Sequence, residues 1–252
     1  MKISHSTLRA CAALLLLAMG TLAHAQIGAH RNDLAVGVNG GYAMNTVGFD
    51  PKVPQNQHGG VTGGFSVRYV CEKYFSTICS IYAEVNYAQL GWKQKIQTTA
   101  NEPVVNPATG VAESYERTIN YLQIPVFAHL AWGREQRGVQ FFFQAGPQLG
   151  IFLGESTNAN YSLDAPNTAD RSNTIVAQET MPVEKKLDYG IAAGLGLEFS
   201  FPKVGHFLLE GRYYYGLANI YGNSKKDYFG KSNHGTVSVK LSYLFDLTKT
   251  KQ

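Results

Sequence analysis

Between Leu187 and Phe201 the chain reads LDYGIAAGLGLEFSF, two sequences interleaved. The odd positions, from Leu187 and Tyr189 to Phe199 and Phe201, are apolar or aromatic. The even positions, Asp188, Gly190, Ala192, Gly194, Gly196, Glu198 and Ser200, are small or polar. Side chains on a strand alternate faces with period two, so one face is greasy and the other small and partly charged. In a soluble sandwich the polar face is wet and bulky. A face lined with glycine fits the inside of a narrow closed barrel whose apolar face meets lipid.

The same alternation recurs in Leu34 to Met44, Val61 to Tyr69, Ile81 to Tyr87, Asn120 to Trp132, Val139 to Ile151, Phe207 to Leu217 and Val237 to Leu247. With the first segment that makes eight, most of them near the roughly 9–11 residues with which a tilted strand crosses a bilayer. An even number of strands brings both termini to one side. The links 45–60, 91–118, 152–186 and 218–234 are long and polar, whereas 71–79, 133–138 and 202–205 are short. Alternating long and short links predict an all-β, eight-stranded antiparallel up-and-down transmembrane β-barrel with long extracellular loops and short periplasmic turns.

The start of the chain fits export. Lys2 and Arg9 precede the apolar run Cys11 to Met19, which is too short to span a bilayer, and Ala23-His24-Ala25 is an A-x-A cleavage site. Residues 1–25 are therefore expected to be a signal peptide cleaved after Ala25, leaving 26–252 as one barrel domain in the bacterial outer membrane. Losing Lys2 and Arg9 leaves 20 basic against 18 acidic residues, a net charge near +2. That bias is too weak to point to nucleic acid as a partner. No later stretch approaches the roughly 20 apolar residues of a spanning helix.

In order along the chain, VGVNGGYAMN, SIYAEVNYAQLGW, NYLQIPVFAHL, FFFQAGPQLGIFL, DYGIAAGLGLEFSF, EGRYYYGLANIYG and VSVKLSYLF resemble the outer-membrane β-barrel (porin/PorT-like) family of Gram-negative bacteria. Asn120 to Pro125 and Gly190 to Glu198 carry most of the likeness. The resemblance implies an eight-stranded barrel of the outer membrane and little about activity, although one relative type serves in protein secretion. The tail Asp246 to Gln252 runs past the aromatic end common to such strands.

Candidate chemistry is sparse. Cys71 and Cys79 flank one short turn in an exported chain, which predicts a disulfide between them, with Tyr69 opposite Ile81, Val67 opposite Ala83 and Phe65 opposite Val85. Such a bond contributes about 2–3 kcal/mol on the loop-entropy account. Arg68, Glu84, Glu198, Glu210, Arg212 and Lys240 point inward, three of each sign. They form either a selectivity ring or proton path, or a paired plug. Equal signs and the small bore of eight strands favour the plug, with Arg212 beside Glu210 and Arg68 reaching Glu84 diagonally.

Among the histidines, His58 and His234 fall in loops and His129 and His206 near strand ends, with no metal spacing and no serine or acid placed beside them. No catalytic, cofactor or metal site is therefore expected. Tyr221, Lys225, Lys226, Tyr228, Phe229 and Lys231 read as an interface girdle or a lipopolysaccharide-phosphate site. The expected protein is a monomeric, non-enzymatic scaffold among outer-membrane lipids and lipopolysaccharide. Its surface or secretion partners would meet loops 91–118 and 152–186. The alternative is a narrow porin-like channel for small solutes; less favoured are an outer-membrane enzyme and a protein-secretion component.

Overall fold

The structure is a computed structural model that describes residues 28–135, 137–164, 166–222 and 228–250. The signal peptide read at 1–25, and Lys225 and Lys226, lie outside the described residues. The strands are β1 (Ala29–Asp50), β2 (Gln55–Asn56), β3 (His58–Tyr74), β4 (Thr77–Gln94), β5 (Tyr115–Gly133), β6 (Gly138–Ala159), β7 (Leu187–Phe201), β8 (Gly205–Gly216) and β9 (Lys231–Thr248). One short helix, α1 (Ala177–Thr180), lies between β6 and β7.

Every strand pairing is antiparallel, and the two-residue β2 only adds to the side of β4. The other eight strands follow one another in sequence order. β1 pairs with β9 and β4 with β5, so the ring has no free edge. Closure lets the strands satisfy one another's backbone groups within the protein, which hydrocarbon cannot do. The outward residues of β7 are exposed, including Ile191 and Leu195, while Asp188, Ala192, Glu198 and Ser200 on its other face are buried.

The strands run well past the apolar band at the end of the long links, and there the two faces exchange character. Along β1 the outward side passes from Val36, Val38 and Tyr42 to Thr46, Gly48 and Asp50, while the inward side passes from Gly37, Asn39 and Gly41 to Ala43, Val47 and Phe49. Along β4 the inward Glu84 and Asn86 give way to Ala88, Leu90 and Trp92, and the outward Val85 and Tyr87 to Gln89 and Lys93. β5 mirrors this, with Tyr115 and Ile119 inside and Glu116 and Thr118 outside before the apolar band begins. Beyond lipid the strands meet water, so apolar side chains turn inward as in a soluble barrel.

At this end the interior holds an apolar cluster that includes Phe49, Val53, Leu90, Trp92, Ile119, Tyr221 and Phe229. Burial of each such aliphatic or Phe side chain contributes about 1.5–3 kcal/mol. β4 bends at this level through Gly91, whose φ of 147° suits glycine, and the Asn45 side-chain amide donates to its carbonyl.

These extensions correct the expected loop lengths. Residues 45–50, 58–60, 91–94, 115–118, 152–159 and 231–234 belong to strands, so the long connections become 51–57, 95–114, 160–186 and 217–230. At the other end the turns tighten to 75–76, 134–137 and 202–204.

The two cysteines do not stand opposite each other. Tyr69, Val67 and Phe65 face Ile81, Ala83 and Val85 as the alternation required, but the register slips by one between Val70 and Glu72. Cys71 occupies the bulge, Glu72 lies opposite Cys79, and both thiols are free. Alkylation of the unreduced protein followed by mass spectrometry is expected to modify both cysteines. A Cys71–Cys79 linked peptide would mean that the bulge slides to another residue.

Candidate functional site

Inward positions of neighbouring strands fall into layers stacked along the barrel axis. Around the middle, β4 supplies Glu84, β8 supplies Glu210 and Arg212, and β9 supplies Lys240, which stands directly opposite Glu210. Arg212 lies between the two carboxylates. Its Nη1 donates to Glu84 at 2.7 Å and its Nε to Glu210 at 2.7 Å, while Nη2 reaches both acids at 3.0 and 2.8 Å. Lys240 Nζ donates to Glu84 at 2.6 Å.

Neutral amides complete the layer. Asn86 donates to Glu84 at 2.7 Å and Gln144 to Glu210 at 2.7 Å, and Asn39 joins Asn86 to Ser66. The guanidinium carbon of Arg212 sits 4.6 Å from the centroid of the Phe127 ring. All four charged side chains are buried. On β7, Gly194 and Gly196 stand opposite Arg212 and Glu210. A Cβ at Gly194 would run into the Glu210 carboxylate. Gly194 is thus the counterpart of a charged side chain, while Gly196 admits the Phe142 ring.

Arg68 does not reach Glu84, contrary to the diagonal expected from the hairpin. It belongs to a second layer nearer the short turns, where its Nη1 donates to Glu198 at 2.6 Å. His206 joins that layer, with Nδ1 at 2.7 Å from Glu198 and Nε2 at 3.2 Å from Asp246. Ser200 Oγ stands 2.9 Å from the same Nδ1.

A serine, a histidine and an aspartate therefore do meet, which the sequence reading missed. The signal was present in the tight hairpin of β7 and β8, which sets Ser200 opposite His206. Glu198 and Asp246 flank the two ring nitrogens of His206, and Arg68 pairs with the same Glu198. The cluster is an ionic brace.

At the rim of this end Arg31 bridges Asp33 at 3.1 Å and Glu135, and Lys73 reaches Glu135 at 3.0 Å. Burial pushes the Glu135 carboxyl up; Lys73 and Arg31 outweigh burial and hold it below its ordinary value.

The opposite end is closed by the loops. Phe49 packs edge-on to Trp92 at 5.3 Å between centroids and against Phe229 at 4.9 Å. Tyr221 and Phe229, read from sequence as part of a membrane girdle, are buried in this cluster because inward positions there lie outside the lipid band. Tyr228 and Lys231 remain exposed.

Residues 171–183 fold down onto the cluster through α1. Tyr115 and Tyr221 donate to the Gln178 carbonyl at 3.4 and 3.2 Å, and Arg117 donates to the Gln178 and Met181 carbonyls at 3.2 and 2.6 Å. Arg171 ties the segment to the other long connection, pairing with Glu179 at 2.7 Å and Glu113 at 2.9 Å.

Three further histidines are also inside strands. His58 opens β3 beside Glu116 at 2.9 Å, His234 lies in β9 against Tyr121 and Asn45, and His129 stacks between Tyr82 and Phe142. The first two had been read as loop residues because their strands outrun the apolar band. Among the described residues no group of His, Cys, Asp or Glu is arranged to hold a metal ion.

Removing Arg212 leaves Glu84 and Glu210 with only Lys240 in a dry layer. Arg212→Ala is expected to cost about 3–5 kcal/mol in urea unfolding. Arg212→Ala with Glu210→Ala should recover most of that, because Glu84 and Lys240 remain as a balanced pair. Additive losses would mean that water fills the layer.

The outer membrane protein beta-barrel domain family matches residues 24–222. No curated protein matches the chain. Three solved structures align over nearly their whole length. Ail, the attachment invasion locus protein of Yersinia pestis, is 15% identical, with 87% of this chain and 100% of that one covered and a TM-score of 0.34. Neisserial surface protein A is 12% identical, with 84% and 97% covered and a TM-score of 0.39. OprG from Pseudomonas aeruginosa is 12% identical, with 87% and 99% covered and a TM-score of 0.38. Likeness at that level carries no argument about role, and the assignment rests on the family match together with the closed ring. The chain belongs to the outer membrane protein beta-barrel domain family and resides in the bacterial outer membrane.

Proposed function

We propose that the protein is a non-conducting, non-enzymatic scaffold that holds a folded cap of loops above the outer membrane for contact with surface partners. The observation that carries this reading is double closure of the lumen. Glu84, Arg212, Glu210 and Lys240 fill its middle, and the cluster around Phe49 and Trp92, with residues 171–183 packed on it, fills the extracellular mouth. A conducting pore needs a continuous polar path, and an interior of eight strands is only wide enough for side chains.

The partner surface would be the outer rim of the cap, in particular the exposed tip 105–112 beyond the buried Val104. An uninterrupted apolar belt suits a monomer surrounded by outer-membrane lipid and lipopolysaccharide.

Reconstituted in planar bilayers, the protein should show no steady openings; a reproducible unitary conductance would favour a narrow solute channel instead. Proteinase K added to intact cells is expected to cut within 105–112 well before 171–183. Early cleavage in 171–183 would mean that the cap is loosely held, and protection of both until the outer membrane is opened would reverse the orientation.

A further inference from the structure

Below the Arg68–Glu198 layer the lumen widens into a cavity of about 310 Å³ that opens at the periplasmic end. Three of its lining side chains, Arg68, His129 and Gln140, are more than nine-tenths buried, and each has a nitrogen without a hydrogen-bond partner among the described residues. Arg68 uses Nη1 on Glu198 and leaves Nε free to donate. Gln140, opposite Glu198 on the neighbouring strand, leaves its side-chain Nε2 free to donate.

His129 differs in sign. Gln144 donates through Nε2 to Glu210, so its Oε1 faces His129 Nδ1 at 3.0 Å and that nitrogen carries the proton. His129 Nε2 is left as an acceptor. The cavity therefore presents two buried donors and one buried acceptor, each costly to leave unmade.

The charges of the wall narrow the ligand further. Asp33 and Glu135 are held by Arg31, Glu198 by Arg68, and Asp246 by His206 and Lys249. No carboxylate is spare for a cation. An anion on Arg68 would lie against the Glu198 already bound there, and Lys203 stands exposed at the mouth, where solvent screens it. A hydroxyl group meets the requirement, because one oxygen both accepts and donates. The volume is about ten times the roughly 30 Å³ share of one water and falls at the lower end of small-ligand pockets.

We propose that this periplasmic cavity binds a small neutral polyhydroxylated solute, a monosaccharide or sugar alcohol, through Arg68, Gln140 and His129. The site is independent of the loop cap and does not require the lumen to conduct.

The test is saturation-transfer NMR on the mature protein in phospholipid nanodiscs, free of sugar-based detergent, with D-glucose, D-mannitol and inorganic phosphate as probes. Glucose or mannitol should receive saturation, and phosphate should not displace it. Gln140→Met keeps the side chain's bulk and removes the donor, and should weaken binding about tenfold. Ala131→Leu, which narrows the cavity two residues from His129 without removing a polar group, should weaken binding at least as much. Heat-modifiable gel migration establishes that each variant is folded, and either variant alone suffices if the other fails to fold. No transfer to either polyol, displacement by phosphate, or unchanged affinity in the folded variants would each overturn the proposal, leaving respectively a water-filled vestibule, an anion site, or binding elsewhere.

Discussion

A closed ring of eight strands encloses a space about as wide as its own side chains, and that space has to be filled. What fills it depends on the medium outside. Where lipid surrounds the ring, the strands must spend their apolar side chains outward, and the interior is left to glycine, amides and ions. Where water surrounds it, apolar side chains return inside. The same strands obey both conditions in turn, Glu84 and Trp92 being inward residues of one strand only eight positions apart. The charged middle, the apolar mouth and the folded cap all follow from that exchange.

Filling a lumen with ions is stable only if none is left alone, since an unpaired buried charge costs several kcal/mol. Arg212 meets this by geometry: its planar fork engages two carboxylates at once, and Lys240 shares Glu84 Oε2 with it. Asn86, Gln144 and Asn39 extend the network to neighbouring strands without adding charge. Gly194 completes it by leaving room for the Glu210 carboxylate. Glycine in a strand is ordinarily a weakness, and here it is the space into which Glu210 fits.

Period-two alternation made the ring legible in the sequence, and Leu187 to Phe201 was bounded at both ends because its apolar side faces lipid throughout. Strands that leave the lipid were cut short, at Met44 in β1 and Tyr87 in β4, because beyond them the greasy face is the inner one. Asn45, His58, Trp92, Arg117 and His234 were consequently read as loop or left unread. Inward charges were identifiable from parity alone, but their partners were not. Arg68 finds Glu198 four strands away around the ring, and no local pattern encodes a contact across a lumen. The bulge at Cys71 escaped for a different reason, since one extra residue leaves composition unchanged while moving Glu72 opposite Cys79.

A non-conducting scaffold requires the barrel interior to be interrupted between a periplasmic vestibule and a sealed outer half. Single-cysteine accessibility tests it directly, in a background with Cys71 and Cys79 replaced by serine. Ser80 lines the vestibule, and Ser238 lies above the Glu84 layer and below the mouth. A small charged methanethiosulfonate should modify Ser80→Cys quickly and leave Ser238→Cys unmodified from either side of the membrane. Comparable rates at the two positions would mean a continuous aqueous path and would contradict the account.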